Sequence, residues 1–415
     1  MPDVFQVLNL FLAYIAAHYA DQIDLVAYYG SYAKGTATAH SDLDMFYVPS
    51  EGKNPPVARS VIISGVLFDF WPLSWDRLES LATGRWRGWS LAPALVFHAR
   101  PVYVKSGAAE ERLEELKQKI VALQQPEARP VMIRRALTAF PAVLAHLGNL
   151  RLAAAGGDVV DVRYAGFNLL FAAWECLALA NQVLFDEGYF SVVTQAAKMP
   201  VKPAGFETLV QTICTSMQPR DILSAGEELA LGTRQILWQF QQSTAAGATT
   251  STTAVGATTS TTAVGATTST TAVGATTAAA ATTATGATTR TVPEVFAGAY
   301  PELKDGWRKI LNCCEAQRSV EAAIAAWRQQ EELSGMVAEL HRLIGRQAKF
   351  NLYREFGSYY AELDWPNLLA CDPHETHKLA RETELVDRIC RQWLKEHSVN
   401  LEVYESIEKF RQSLV

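Results

Sequence analysis

The sequence predicts an α+β protein in which an N-terminal sheet with flanking helices precedes a larger helical region. Short apolar runs bounded by turn residues, such as Leu25–Tyr29 and Val66–Trp71, are typical of strands. From Ala108 onward, apolar residues recur every three or four positions, which is typical of amphipathic helices. A Thr- and Ala-rich repeat then interrupts the helical pattern. These three observations define the fold class.

The order of the patterns divides the chain into four predicted regions. A sheet-containing domain occupies residues 1–105, and a helical domain occupies 106–242. A low-complexity linker follows at 243–290, and a helical C-terminal region at 291–415. At 415 residues the chain is long enough for two or more domains.

Turn and cap residues predict the elements of the first domain. Ser64-Gly65 lies between two apolar runs and predicts a tight turn between two strands. A helix is expected to begin near Ser74. We expect the last strand of the domain to include Leu95–His98 and Val102–Val104, both of which are apolar.

The linker contains a repeated nonapeptide, Gly-Ala-Thr-Thr-Ser-Thr-Thr-Ala-Val, whose copies begin at Gly247, Gly256 and Gly265. The repeat contains no aromatic residue and no charge before Arg290. It therefore offers too little apolar surface to offset the loss of chain entropy on folding. We expect a disordered insert within the helical region.

Composition excludes several classes of protein. The formal net charge of −6, without runs of lysine or arginine, argues against an extended nucleic-acid track. Val4–Ala20 is nearly uncharged, but it lacks the basic start of a signal peptide, and no segment has the length of a membrane span. The six cysteines contain no CxxC pair, which is typical of free thiols in a reducing compartment. We expect a cytoplasmic protein that does not enter the membrane.

The most informative stretch of the sequence runs from Gly30 to Asp44. Gly30-Ser31 follows one apolar run, and Asp42-Leu43-Asp44 opens the next. Residues i and i+2 of a strand face the same side, so Asp42 and Asp44 are predicted to converge on one divalent cation or a close pair of them. An Asp-x-Asp sequence by itself is usually a solvated strand end, and the spacing to Gly-Ser is what favours a functional site.

A third acid is expected from a neighbouring strand, and Asp69 is the candidate. Alternation within Val66–Trp71 places Phe68 and Phe70 on the face opposite Asp69. A buried carboxylate needs a partner or a metal, because an isolated buried charge is costly. The alternative is an acid on an edge strand that faces water, and Asp76 is then the next candidate.

The Gly-Ser turn and the residues after it are predicted to bind phosphate. Gly30 allows the backbone to approach a phosphate closely, and the N–H and hydroxyl of Ser31 can donate to its oxygens. Lys34 follows about one helical turn later, within reach of the same phosphates. An exposed lysine on a short helix is the alternative for Lys34. A basic and aromatic cluster later in the domain is a weaker candidate for triphosphate contact or base stacking; its members are Arg85, Trp86, Arg87 and Trp89.

The pattern Gly-Ser-x10-Asp-x-Asp, with Ser41 before the acids and apolar flanks, resembles the DNA polymerase β-like nucleotidyltransferase superfamily. The residues from Gly30 to Asp44 most resemble the corresponding motif of its minimal and antibiotic nucleotidyltransferases. The resemblance implies Mg²⁺ at Asp42, Asp44 and Asp69, an NTP (ATP above all) as donor, and a hydroxyl acceptor on a small molecule or protein. It implies that Asp69 binds metal, deprotonates the acceptor, or does both. It also implies a helical partner domain after the sheet.

Two functions remain open at this stage. The first is transfer of a nucleoside monophosphate with release of pyrophosphate. The second is an antitoxin-like or regulatory binding protein of the same fold with little or no turnover, for which a partner toxin is possible. The intact set of three acids favours the first.

Overall fold

The computed structural model describes residues 3–38, 41–86, 88–187, 191–250, 292–343, 365–396 and 401–414. It confirms the predicted α+β architecture, with a mixed sheet and flanking helices followed by a helical region. Most of the predicted low-complexity linker lies outside the described residues.

The sheet contains six strands in the order β5-β1-β2-β4-β3-β6. Strands β2 and β4 are parallel, as are β3 and β6, and the other neighbours are antiparallel. The strand bounds are β1 Ile23–Tyr28, β2 Leu43–Pro49, β3 Arg59–Ile63, β4 Val66–Pro72, β5 Arg100–Val104 and β6 Val403–Tyr404.

Helices lie against both faces of the sheet and connect its strands. The bounds in the first part of the chain are α1 Val4–His18, α2 Gly30–Lys34, α3 Trp75–Ala82, α4 Pro93–Phe97 and α5 Gly107–Leu123. Asp3 caps α1 by accepting from the N–H groups of Phe5 and Gln6, and Ser74 caps α3 at Arg77 N, as the sequence predicted for a helix start there.

The helical region follows the sheet and then returns to it. Its helices are α6 Arg129–Gly156, α7 Val159–Asn181, α8 Val192–Ala197, α9 Phe206–Thr215, α10 Pro219–Thr250, α11 Val292–Glu315, α12 Ser319–Leu343, α13 Thr376–Glu396 and α14 Ile407–Ser413. Helix α11 packs against α12 and α13 and also contacts β3 and β4. Helix α10 continues past residue 242, where the sequence predicted the helical domain to end.

Period-two alternation places the two faces of the sheet in different cores. Leu43, Met45 and Tyr47 belong to the core with α1, as do Phe68 and Phe70. Phe46 and Val48 belong to the core that continues into the helical region. Side chains at i and i+2 of a strand point to the same face. Asp44 therefore shares the face of Phe46 and Val48, which is the face toward the helical region.

The structure differs from the sequence prediction at two strands. Leu95–Phe97 lies in the short helix α4, because Pro93 near its start suits a first helical turn, and the strand begins only at Arg100. The C-terminal region, predicted to be helical, contributes β6 to the sheet edge beside β3. The predicted turn at Ser64-Gly65 is confirmed, with both residues at positive φ.

All six cysteines are buried free thiols, as predicted. Across the described ranges, no helix combines the length and the hydropathy needed to cross a membrane.

Candidate functional site

Two neighbouring strands bring the predicted acids together. In the parallel pair of β2 and β4, Asp44 lies directly opposite Asp69. Asp42 precedes Asp44 by two residues, and its side chain is 16% exposed. The register of this parallel strand pair therefore places Asp69 beside Asp44.

Gly30 lies against these acids. Its φ is +77°, and a Cβ on it would be 3.1 Å from Asp44 Oδ2. Gly30 and Ser31 open α2, and the N–H of Tyr29, which precedes them, donates to the Asp44 carbonyl at 3.0 Å. Glycine suits this position for two reasons. It adopts the left-handed backbone conformation without strain, and it has no side chain to crowd the Asp44 carboxylate.

Lys34 lies at the other end of α2. Its ammonium donates to the backbone carbonyl of Asp186, in the loop after α7. His98 is 3.2 Å from the Asp186 carboxylate in the same place. The structure thus brings Lys34 to the junction with the helical region, and its role in nucleotide binding stays a prediction.

Asp69 has a hydroxyl partner on the adjacent strand. Ser60, opposite Asp69 in the β3–β4 pair, donates its hydroxyl to Asp69 Oδ1 at 2.5 Å. Burial raises the pKa of Asp69 to about 6, and the hydrogen bond from Ser60 opposes that rise. Tyr29 lies near the same acids; burial first, and then the Asp44 and Asp69 charges, raise its pKa.

Two further residues of the site, Asp305 and Lys309, lie one turn apart on α11 and were not predicted from the sequence. Lys309 Nζ donates to Asp42 Oδ2 at 2.8 Å and lies 2.5 Å from Asp305 Oδ2. The Asp305 side chain is only 5% exposed. Arg308 donates to Asp305 and also to the Gly65 carbonyl, so it ties α11 to the β3–β4 turn.

No local signal in the sequence identifies this pair. An acid and a lysine at i and i+4 are common on solvated helix faces. Lys309 is 267 residues from Asp42 in sequence, so only the packing of α11 on the sheet makes it part of the site.

The charges in the site explain the directions of its pKa shifts. Burial alone would raise the pKa of Asp42, but the Lys309 ammonium outweighs it and the pKa falls. Burial, and then the Asp42 charge, raise the pKa of Asp44 well above its usual range. Burial also raises the pKa of Asp305. Burial would lower the pKa of Lys309, but the Asp42 and Asp305 carboxylates raise it, so Lys309 keeps its positive charge beside them.

The donor chemistry of the site fits a divalent metal. Within the described ranges, no three His, Cys, Asp or Glu side chains already surround a common metal position. Mg²⁺ is nevertheless usually held by one or two carboxylates, with substrate phosphates and water completing its shell. Asp42 and Asp44 supply such carboxylates, and the Lys309 ammonium against Asp42 shows that this acidic cluster already holds one positive charge.

One member of the predicted basic and aromatic cluster, Trp89, belongs to the core and not to a ligand surface. Trp89 is fully buried, and its ring N–H donates to the Val183 carbonyl at 3.1 Å. The half-buried Glu175 of α7 accepts from the N–H groups of Trp89 and Ser90 at 2.5 and 2.8 Å. This segment therefore joins the sheet domain to α7, and Arg87 lies outside the described residues.

Part of the helical region is similar to a known protein family. Residues 110–242 match the family model described as the KNTase C-terminal domain. The chain is also similar to a solved nucleotidyltransferase-like protein from Exiguobacterium sibiricum, with 11% identity, a TM-score of 0.36, and coverage of 56% of this chain and 75% of that one. No curated protein matches the sequence.

Proposed function

We propose that this chain, whose residues 110–242 match the KNTase C-terminal domain family, is a nucleotidyltransferase that transfers a nucleoside monophosphate from an NTP to a hydroxyl acceptor. The observation that supports this most directly is the position of Asp44, which lies opposite Asp69 and against Gly30 and follows Asp42 by two residues. A binding protein without turnover would not need to retain all three acids, so we favour the enzyme over an antitoxin-like or regulatory role.

The proposed reaction is an in-line displacement at phosphorus. The acceptor hydroxyl oxygen forms a bond to the α-phosphorus, the bond from that phosphorus to the bridging oxygen breaks, and pyrophosphate leaves. The hydroxyl proton passes to a carboxylate of the site. When bound, Mg²⁺ held by Asp42 and Asp44, with Asp69 completing the set, would neutralise the phosphate oxygens.

The other residues of the site position the nucleotide and the proton. Gly30 leaves room for close approach to the backbone, and Ser31 offers an N–H and a hydroxyl to the phosphates. Asp69 is the carboxylate that we propose for the proton, since Asp42 and Asp305 are both paired with Lys309. Among the donors we expect ATP, and the acceptor is a hydroxyl of a small molecule or a protein.

The test is a transfer assay with labelled nucleotides. The purified protein is incubated with α-³²P-labelled NTPs, Mg²⁺ and separate panels of aminoglycosides, tRNA and cell proteins. We expect the label to move to one panel in the wild type, and the rate to fall by about a hundredfold or more in Asp42→Asn and Asp44→Asn, because these variants lose transition-state interactions.

Asp76→Asn provides the matched control. Asp76 is an exposed acid in the first turn of α3, so its loss should leave the rate unchanged. Absence of transfer to every panel, or more than about a tenth of the wild-type rate in either site variant, would contradict the proposal.

A further inference from the structure

The Lys309 ammonium contacts an oxygen of Asp42, which is one of the carboxylates proposed to bind metal. It contacts Asp42 Oδ2 at 2.8 Å and Asp305 Oδ2 at 2.5 Å, and its side chain is 30% exposed. A cation so placed offsets the cost of burying several carboxylates in one cluster. Lys309 therefore supplies, from within the chain, part of the positive charge that this site requires.

A divalent metal and this ammonium compete for the same oxygen. Both are cations, and at a shared carboxylate they repel each other strongly in a poorly solvated site. A metal that binds Asp42 must therefore displace Lys309 or bind weakly.

Lys309 has a second carboxylate partner, so its ammonium can leave Asp42 and still be paired with a negative charge. Its i,i+4 pairing with Asp305 lies within α11 itself and does not depend on the sheet. Arg308 meanwhile holds α11 to the Gly65 carbonyl at 3.1 Å, so the movement requires only the lysine side chain. The polyanionic chain of a nucleoside triphosphate would offer the ammonium a new partner.

We propose that Lys309 is a resident counter-cation that keeps divalent metal off Asp42 until a triphosphate arrives, so that metal and nucleotide enter the site together. The proposal rests on the proposed function for the assignment of Asp42 and Asp44 as metal-binding carboxylates. It adds a regulatory property to that site: metal alone does not fill it.

The experiment measures binding of Mn²⁺ alone to the full chain, by the loss of the free Mn²⁺ signal in electron paramagnetic resonance. We expect the wild type to bind Mn²⁺ at this site at least tenfold more weakly than Lys309→Met. Lys309→Arg, which keeps the positive charge, should bind as weakly as the wild type. The added binding in Lys309→Met should vanish in the double variant Lys309→Met/Asp42→Asn, which assigns it to this site.

Lys304→Met is the matched control for a lost lysine. Lys304 lies on the same helix and pairs with the buried Asp387 instead of the site. Its Mn²⁺ binding should equal that of the wild type. Equal Mn²⁺ affinities in wild type and Lys309→Met would overturn the proposal, as would tight binding in Lys309→Arg.

A second measurement needs no lysine variant. The melting temperature of the wild type should rise with Mn²⁺ plus ATP and stay constant with Mn²⁺ alone. Stabilisation by Mn²⁺ alone that disappears in Asp42→Asn would also overturn the proposal. Neither measurement depends on turnover, so the two proposals can fail separately. If the protein excludes Mn²⁺ as expected but transfers no nucleotide, only the proposed function is contradicted.

Discussion

The carboxylate of Asp44 lies directly against the α-carbon of Gly30, so that a methyl group on Gly30 would be 3.1 Å from Asp44 Oδ2. This contact joins the two halves of the sequence motif, which are separated by α2 and the loop after it. It means that the glycine is required by the position of an acid as well as by its own backbone conformation.

Gly30→Ala should therefore impair activity more than a comparable glycine substitution nearby. At φ +77° alanine costs about 1–2 kcal/mol, and its methyl group must also move Asp44. Gly35→Ala is the control, because Gly35 has a similar φ of +72° and nothing within 4 Å of its Cβ position. We expect similar losses of melting temperature but a large loss of transfer rate only in Gly30→Ala. Equal rates in the two variants would show that the Asp44 contact is unimportant.

Asp69→Asn should separate metal binding from proton transfer. We expect the transfer rate to fall by about 10²-fold or more, and excess Mn²⁺ to restore part of it, because Asp69 lies opposite the metal-binding candidate Asp44. Ser60→Ala removes the hydroxyl that donates to Asp69 but leaves the carboxylate, so its rate should fall much less. If added metal has no effect while nucleotide binding persists, Asp69 acts as the base. An unchanged rate would place the third acid elsewhere.

Glu175 should give the protein a measurable pH dependence of stability. Burial raises the pKa of Glu175 above its ordinary 4.5, and the N–H groups of Trp89 and Ser90 oppose that rise only in part. The folded state thus keeps the proton to a higher pH than the unfolded state does. The stability that this provides is complete below pH 4.5 and is lost as the pH rises through the folded pKa.

The measurement is the free energy of unfolding of wild type and Glu175→Gln across this pH range. Glutamine does not titrate, so the stability of the wild type relative to the variant should decline as the pH rises from 4.5, by about 1.4 kcal/mol for each unit of pKa shift. A relative stability that is constant, or that increases with pH, would show that the Glu175 pKa is not raised.

Arg163→Lys should loosen the segment that follows α12. The buried Arg163 guanidinium donates to the carbonyls of Leu369, Cys371 and Cys214, and one ammonium cannot reach all three. Each buried acceptor left unpaired costs about 1–3 kcal/mol. We expect lower stability and faster amide exchange in residues 368–371. Arg151→Lys, at an exposed pair with Glu227, should change stability by less than about 1 kcal/mol. Equal effects of the two substitutions would contradict this role of Arg163.

What the sequence predicted correctly was local in origin. The alternation that turns Phe68 and Phe70 away from Asp69, the tight turn at Ser64-Gly65 and the cap at Ser74 each depend on neighbours within a few residues. Where local signals were ambiguous, the prediction was wrong: Leu95–Phe97 has strand-like composition, yet Pro93 starts a helix there.

Tertiary structure decided the rest of the site. The parallel register of β2 and β4 sets Asp44 opposite Asp69, and the return of α11 to the sheet brings Lys309 to Asp42. No periodicity encodes either relationship, because strand register and helix docking depend on burying apolar surface that is distant in sequence. The sequence by itself therefore determined which acids could act and which way they face. Only the packed molecule determined that Lys309, from beyond the repeat, pairs with one of them, Asp42.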